Sequence, residues 1–315
     1  MRFGIHHEGR GVTRRALLAT AGTTLGVGLA GCSGTDAGPV RVLSAGSLAR
    51  TFEDHVGPAF TDETGIEVHG EYYGANAVMR MVEDRTKHPD VIVSADATLL
   101  RDRLYGEFTE WDVEFATNSV GIGYNEETAF GRGLDAGGPW YELAVETDEG
   151  DISIGDPDLD PLGYRAVQAF ELAEREHDLE GFRAEMLALV YEEPEEPQMM
   201  AGVETGSRAG SVVYRNMAID HGMPFLEFPE AYNFANPELA DHYATAEFTT
   251  EEGYTAKGRP VLYNATVNDA ADAPEAGREL VQFLADRSDL LVDAGLTVGE
   301  NLPRGRGALP EAITV

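Results

Sequence analysis

From Val40 onward the apolar positions follow two alternating patterns. Short apolar runs that suit strands give way to longer stretches in which apolar residues recur every three or four positions, as on one helix face. Val40–Leu43, Ile66–Tyr73 and Asp90–Ser94 predict strands. Leu48–Glu63, Ala75–Thr86 and Ala97–Leu104 predict helices. Leu48, Phe52, Val56, Ala59 and Phe60 share a face of the first, and Val78, Met79 and Val82 a face of the second. A strand–helix order of this kind predicts a parallel sheet with helices packed on it.

A second unit follows. A strand leaves the first unit within Thr117–Asn125, and Ile152–Ile154 predicts another. Pro161–His177 and Phe182–Tyr191 predict helices, and Met200–Arg208 a loop or short helix. Within Gly210–Gly222, Val212, Val213, Met217 and Ile219 pack inward. The acidic, proline-bearing "EEPEEPQ" (Glu192–Gln198) reads as a solvated loop. Phe225–Phe228 and Arg259–Val267 predict strands, and Glu275–Phe283 with Asp289–Asp293 a closing helical segment. No internal repeat is present. The expected fold is α/β with two lobes, each a mostly parallel sheet flanked by helices. Lobe 1 takes residues 40–118 and 262–315, and lobe 2 takes 119–261. Two chain crossings join them as a hinge. Ligands of such an architecture sit in the cleft, at strand carboxyl ends and helix starts.

Charge changes the picture. The 315 residues carry 56 acidic against 23 basic side chains, a formal net charge of −33. Lys87 and Lys257 are the only lysines. The acids lie within segments of good apolar periodicity, so disorder does not follow. They suit a halophile's surface, since at molar salt the Debye length is only about 3 Å and self-repulsion is screened. Nucleic acid is excluded as a partner, because no basic stripe exists to track phosphates.

At the N-terminus Arg14-Arg15 precede an apolar run from Ala16 to Ala30. The run is short for a membrane span and suits an export signal. Twin arginines ahead of it resemble a Tat signal. "LAGC" (Leu29–Cys32) resembles a lipobox, with Cys32 as the lipid-bearing first residue of the mature chain. Cys32 is the single cysteine, so no disulfide can form within the chain. Residues 1–32 thus read as signal and 33–39 as a tether, which puts the mature protein on the outer face of the cell membrane.

Three places could hold an anion. In "SAGSL" (Ser44–Leu48) a strand hands over to a helix through small residues. Free N–H groups at such a point favour negative charge, Gly46 allows close approach, and Ser47 adds a hydroxyl. Ser47 could equally be a helix cap. "YYGANAVM" (Tyr72–Met79) repeats the arrangement at Gly74-Ala75. In "GDPDLDPLGYRAVQ" (Gly155–Gln168) Asp160 and Pro161 form a helix start, with Leu162 and Gly163 offering N–H groups.

With "VIVSAD" (Val91–Asp96), "VETG" before "VYR" (Val203–Arg215), "FPEAYNFANPE" (Phe228–Glu238) and "KGRPVLYNATV" (Lys257–Val267), these motifs occur in one order. The set resembles the archaeal molybdate/tungstate-binding proteins of ABC importers, over about residues 40 to 300. The resemblance implies a two-lobed periplasmic-binding (type II) fold closing on a tetrahedral oxyanion. It implies ligand contacts from Ala45, Gly46 and Ser47, from a hydroxyl after the second glycine, and from N–H groups beside Asp160 such as that of Leu162. In the archaeal branch two carboxylates, an Asp and a Glu, reach the central atom of the oxyanion. By position these are Asp160 and Val213, the latter just before Tyr214-Arg215, and the hydroxyl position is Ala75. Valine cannot coordinate, so the expectation is a four-coordinate oxyanion held by N–H and hydroxyl donors. Asp160 would then chiefly cap its helix, and Ser44, Ser47, Asn76, Tyr214 and Asn233 could replace lost donors. A permease, its ATPase and the membrane are the implied partners, and no cofactor is expected.

Two other readings stand beside this one. Specificity could have moved to another oxyanion such as sulfate. An exported hydrolase lacks support: there is no G-x-S-x-G elbow and no H-E-x-x-H pair, and the histidines are scattered. The sequon Asn264-Ala265-Thr266 lies within a predicted strand, which argues against its use.

Overall fold

The computed structural model describes residues 38–315 together with Met1. The twin arginines, the apolar run, Cys32 and most of the tether lie outside the described residues. Among the described residues no helix is long and apolar enough to cross a membrane.

The strands, in chain order, are β1 (Val40–Ala45), β2 (Val68–Tyr73), β3 (Val91–Ser94), β4 (Trp111–Thr117), β5 (Val120–Tyr124), β6 (Ile152–Gly155) and β7 (Tyr191–Glu193). They continue with β8 (Gly210–Tyr214), β9 (Phe225–Glu227), β10 (Glu247–Thr249), β11 (Thr255–Lys257), β12 (Leu262–Val267) and β13 (Arg304–Gly307). One sheet has the order β13-β4-β12-β3-β1-β2, the other β7-β6-β8-β5-β9, and β10-β11 form a separate hairpin. The chain leaves the first sheet after Thr117 and enters the second at Val120, and it returns to the first at Leu262.

Both sheets are mixed rather than mostly parallel. β1 pairs in parallel with β2 and β3, and β6 with β7 and β8. β12 runs antiparallel to both β3 and β4, and β5 antiparallel to β8 and β9. The crossings explain this. Parallel neighbours need a helical crossover on their own sheet, whereas a strand that arrives from the other lobe can enter in the opposite sense.

Helices cover the sheets as the periodicity requires. Val91, Ile92 and Val93 of β3 are fully buried, each worth about 1.5–3 kcal/mol over an exposed position. The first helical stretch differs from a uniform helix. It opens as a tight turn at Gly46–Leu48, winds as a π-helix over Thr51–Val56 and becomes α-helical over Gly57–Thr64. Gly57 N–H donates five residues back to Phe52, ahead of Pro58, which has no N–H to offer.

β4 has no apolar alternation because two of its buried positions are acidic. Asp112 and Glu114 lie inside. Arg101 donates to Asp112 at 2.7 and 2.9 Å and to Glu114 at 2.5 Å, and Arg304 from β13 reaches Glu114 at 2.5 Å. Asn264, the sequon residue, is buried on β12 and donates to Asp112 at 2.9 Å.

Candidate functional site

Two strand–helix turns of the first sheet start helices that no side chain caps. At the end of β1, Ala45 stands in the cap position with φ −51° and ψ 135°, and no side-chain cap bond is made. Ser47 therefore sits inside the turn instead of capping it. At the end of β2, Gly74 stands in the same position with φ −54° and ψ 138°, again uncapped, and the helix Ala75–Glu83 follows. First-turn amides left this way need another acceptor.

The glycines answer to the other lobe. A Cβ on Gly46 would lie 2.7 Å from Pro197 Cδ and 2.9 Å from both Glu196 Cβ and Glu196 Oε2. A Cβ on Gly74 would lie 2.3 Å from the Leu159 carbonyl oxygen and 2.9 Å from Asp160 Cβ. The small residues are thus needed because the second lobe closes directly onto both turns. Ala77 N–H donates to Leu159 O across the same seam at 3.1 Å.

From the second lobe, Asp160 opens the helix Pro161–Glu176. Its Oδ1 accepts from Leu162 N–H at 2.8 Å, as a cap should. Its Oδ2 is buried with no hydrogen-bond partner. Burial pushes this carboxyl up to about 7, against the pull of the Leu162 amide and Arg165.

Glu196 was not visible as a site residue. "EEPEEPQ" is not a uniformly solvated loop: β7 takes in Tyr191–Glu193, and Glu196–Gln198 form a 3₁₀ turn that runs into the helix Met199–Glu204. Glu192 and Glu195 are exposed, but Glu196 is only 2% exposed. Met199 and Met200, fully buried, anchor the segment and draw Glu196 in. That apolar pair directly after the acidic run was the available signal. Neither Glu196 carboxyl oxygen has a hydrogen-bond partner. Burial, then the neighbouring Asp160, push this carboxyl well above its usual range, while the Ser47 hydroxyl and the Ser47 and Gly46 amides pull the other way.

A buried network surrounds the pair. Arg165 is 1% exposed and bonds Tyr214 Oη at 2.7 Å and Asp96 Oδ2 at 3.0 Å. Tyr164 Oη also donates to Asp96 Oδ2, at 2.8 Å, while Asp96 Oδ1 caps the helix Ala97–Leu104. Burial opposes the charge on Asp96, but Arg165 and Arg259 hold its carboxyl below the usual range. On the other flank, Asn216 Nδ2 donates to Ser47 O at 2.7 Å, and Asn118 Nδ2 donates to Asn216 Oδ1 at 2.8 Å. Tyr263 Oη donates to Ser47 Oγ at 3.3 Å.

Ala45, Gly46, Ser47, Gly74, Ala75, Asp160 and Leu162 all line this seam or the turns that form it. Tyr214 belongs to its surrounding network. Val213 lies elsewhere on β8: its Cγ2 packs toward Gly123, where Met200 also packs, within the core of the second lobe. The donors suggested as replacements divide. Asn76 is in place, with Nδ2 toward Asp158 O at 3.4 Å and Oδ1 without a partner. The Ser44 hydroxyl donates to Ala45 O, and Asn233 is bonded to Glu227, so neither is free for the seam. Among the described residues no group of three His, Cys, Asp or Glu is placed to hold a metal ion.

Residues 40–295 match the bacterial extracellular solute-binding protein family. The chain belongs to that family. It is 50% identical over 303 residues to an uncharacterized solute-binding protein of Halobacterium salinarum, covering 96% of this chain and 97% of that one. It is 28% identical over 308 residues to a molybdate/tungstate-binding protein of Thermococcus kodakarensis, covering 85% and 86%. Its fold is that of the periplasmic molybdate-binding protein of Azotobacter vinelandii, at a TM-score of 0.61 and 14% identity over 83% of this chain and all of that one. The two-lobed binding-protein architecture of this solute-binding protein follows from that match.

Proposed function

We propose that this solute-binding protein is the extracellular receptor of an ABC importer and captures a tetrahedral oxyanion, molybdate or tungstate, between its lobes. The reading rests on one observation above others. Two uncapped glycine turns of one lobe and the capped Asp160 helix start of the other meet at a single buried seam. Bare amides at helix starts are suited to an anion. In so acidic a chain they must select by local dipoles and fit, since the long-range field repels the ligand. The anion would be held in four-coordinate form by the Gly46, Ser47 and Ala75 N–H groups, the Ser47 hydroxyl and the helix start at Leu162. The protein acts as a carrier without turnover, tethered through a lipid on Cys32 and handing its closed form to a permease and its ATPase.

Calorimetric titration of the full chain in multimolar KCl tests this, with tungstate, molybdate and sulfate injected in turn. Binding of tungstate and molybdate, with sulfate far weaker, is the expected result. Sulfate binding most tightly would reassign the ligand, and no binding of any oxyanion would remove the reading.

A further inference from the structure

Glu196 is unused by the binding mode just described, yet it stands at its centre. Its Oε2 lies 2.9 Å from where a Gly46 Cβ would be, beside the Gly46 and Ser47 amides that would receive the anion. The side chain cannot swing away while the lobes are closed. It is 2% exposed, Pro197 follows it against the same glycine, and Met199 and Met200 pin the next turn in the core. An anion held at those amides must therefore touch this carboxyl.

Among the described residues no cation is paired with it. The groups that face Glu196 are the Asp160 carboxyl from the 161–176 helix start, Tyr214 from β8, Tyr263 from β12, and the Ser47 hydroxyl with the Gly46 and Ser47 amides. Arg165, the cation that faces Asp160, is bonded to Asp96 and Tyr214. Asp156 adds a further negative charge near Asp160. Three carboxyl oxygens in this seam, Asp160 Oδ2 and both of Glu196, have no partner. An anion brings only acceptors. Carboxylate and oxyanion oxygens can meet only if a proton lies between them, because two ionised acceptors in a water-poor seam repel.

We propose that Glu196 contacts the bound oxyanion through a hydrogen bond whose proton is taken up with the ligand, so that one anion and one proton enter the seam together. This rests on the oxyanion reading above. The proton comes from solvent, resides between Glu196 and an anion oxygen, and leaves with the ligand on opening. Such a site favours the oxyanion whose oxygens are the better proton acceptors, a basis for discrimination against sulfate that cavity size alone does not supply.

The test is titration of tungstate into the full chain in multimolar KCl between pH 6 and 9, in paired buffers of different ionisation heat. The expected result is proton uptake that rises toward one per anion with pH as the free carboxyl becomes ionised, with affinity falling about tenfold per pH unit over that range. Glu196→Gln, which donates without titrating, should keep affinity within a few-fold of the parent at pH 6, exceed it at pH 9, and show a shallower pH slope, the remainder belonging to Asp160. Binding at pH 9 without proton uptake in the parent overturns the inference. So does loss of binding in Glu196→Gln with its fold intact, which would make the ionised carboxylate a direct partner of the ligand. Tighter binding by Glu196→Ala would overturn it as well, by making Glu196 a competitor for the seat. If Glu196→Gln does not fold, proton uptake by the parent decides alone. Failure of every oxyanion to bind the parent would remove the functional reading and this inference together, whereas binding without a proton removes only this inference.

Discussion

The two lobes come to their common seam with opposite chemistry. The first offers donors: two helix starts at Gly46 and Ala75 that no side chain caps, and the Ser47 hydroxyl. The second offers carboxyls: Asp160, half-used as a cap, and Glu196, which faces the Gly46 and Ser47 donors without a well-formed hydrogen bond. Each half alone is incomplete. Bare amides need acceptors, and buried carboxyls need donors or protons. Closing the hinge sets one against the other, so the seam is a place where donors and acceptors meet without fully pairing. The contrast also separates two kinds of small residue. Gly46 and Gly74 are small because the opposite lobe occupies the space a side chain would need, and not because their backbone is unusual.

The contrast can be broken at its strongest tie. Arg165 on the second lobe and Asp96 on the first form a fully buried ion pair. Arg165→Met leaves Asp96 buried without its cation and should cost about 3–5 kcal/mol, read as a lower melting temperature and a lower denaturant midpoint. Adding Asp96→Asn should recover part of that loss, since the pair acts as a unit. A full additive loss would show that the two side chains do not couple.

A smaller effect comes from filling the space between the lobes. Gly74→Val places its Cβ on the Leu159 backbone carbonyl, which cannot rotate away. The lobes should fold but fail to close as they do here, with anion affinity down by on the order of a hundredfold, or about 2.7 kcal/mol. Gly46→Ala meets side-chain atoms of Glu196 and Pro197 and should lose less. Equal losses at both positions would mean that approach of the opposite backbone is not what the glycines serve.

The smallest expected effect is on pH dependence without ligand. Asp160 is raised from 3.8 to about 7 and Asp220 from 3.8 to about 6, in each case chiefly by burial. The folded state therefore binds more protons than the unfolded state between about pH 4 and 7. Stability from these groups is fully present below their unfolded values and is lost as pH rises through 6 and 7. The melting temperature of the ligand-free protein in fixed KCl should fall by several degrees from pH 5 to 8. Asp160→Asn should flatten that slope. A melting temperature that climbs over this range would contradict the burial of an unpaired carboxyl here.

Much of this molecule was readable in one dimension. The helix start at Asp160-Pro161 holds as expected because a cap and the next two amides are neighbours in sequence. The βαβαβ order of the first lobe appears because apolar periodicity is a property of consecutive residues. β4 escaped because its buried acids are matched by Arg101 and by Arg304, the latter about 190 residues away. Glu196 escaped for the same reason. In an acidic run one glutamate looks like its neighbours, and beyond the hint of Met199-Met200 it is the approach of Gly46 that distinguishes it from exposed Glu195.

The sequence by itself determined what depends on near neighbours: strand and helix segments, the turn glycines, the cap at Asp160, and a strongly acidic net charge. Tertiary structure alone decided which acidic residues are buried, that Val213 faces the core of its lobe, and that a carboxyl reaches the seam from residue 196. Burial is set by what the rest of the chain brings against a residue, and across a hinge that contribution comes from segments far apart along the backbone.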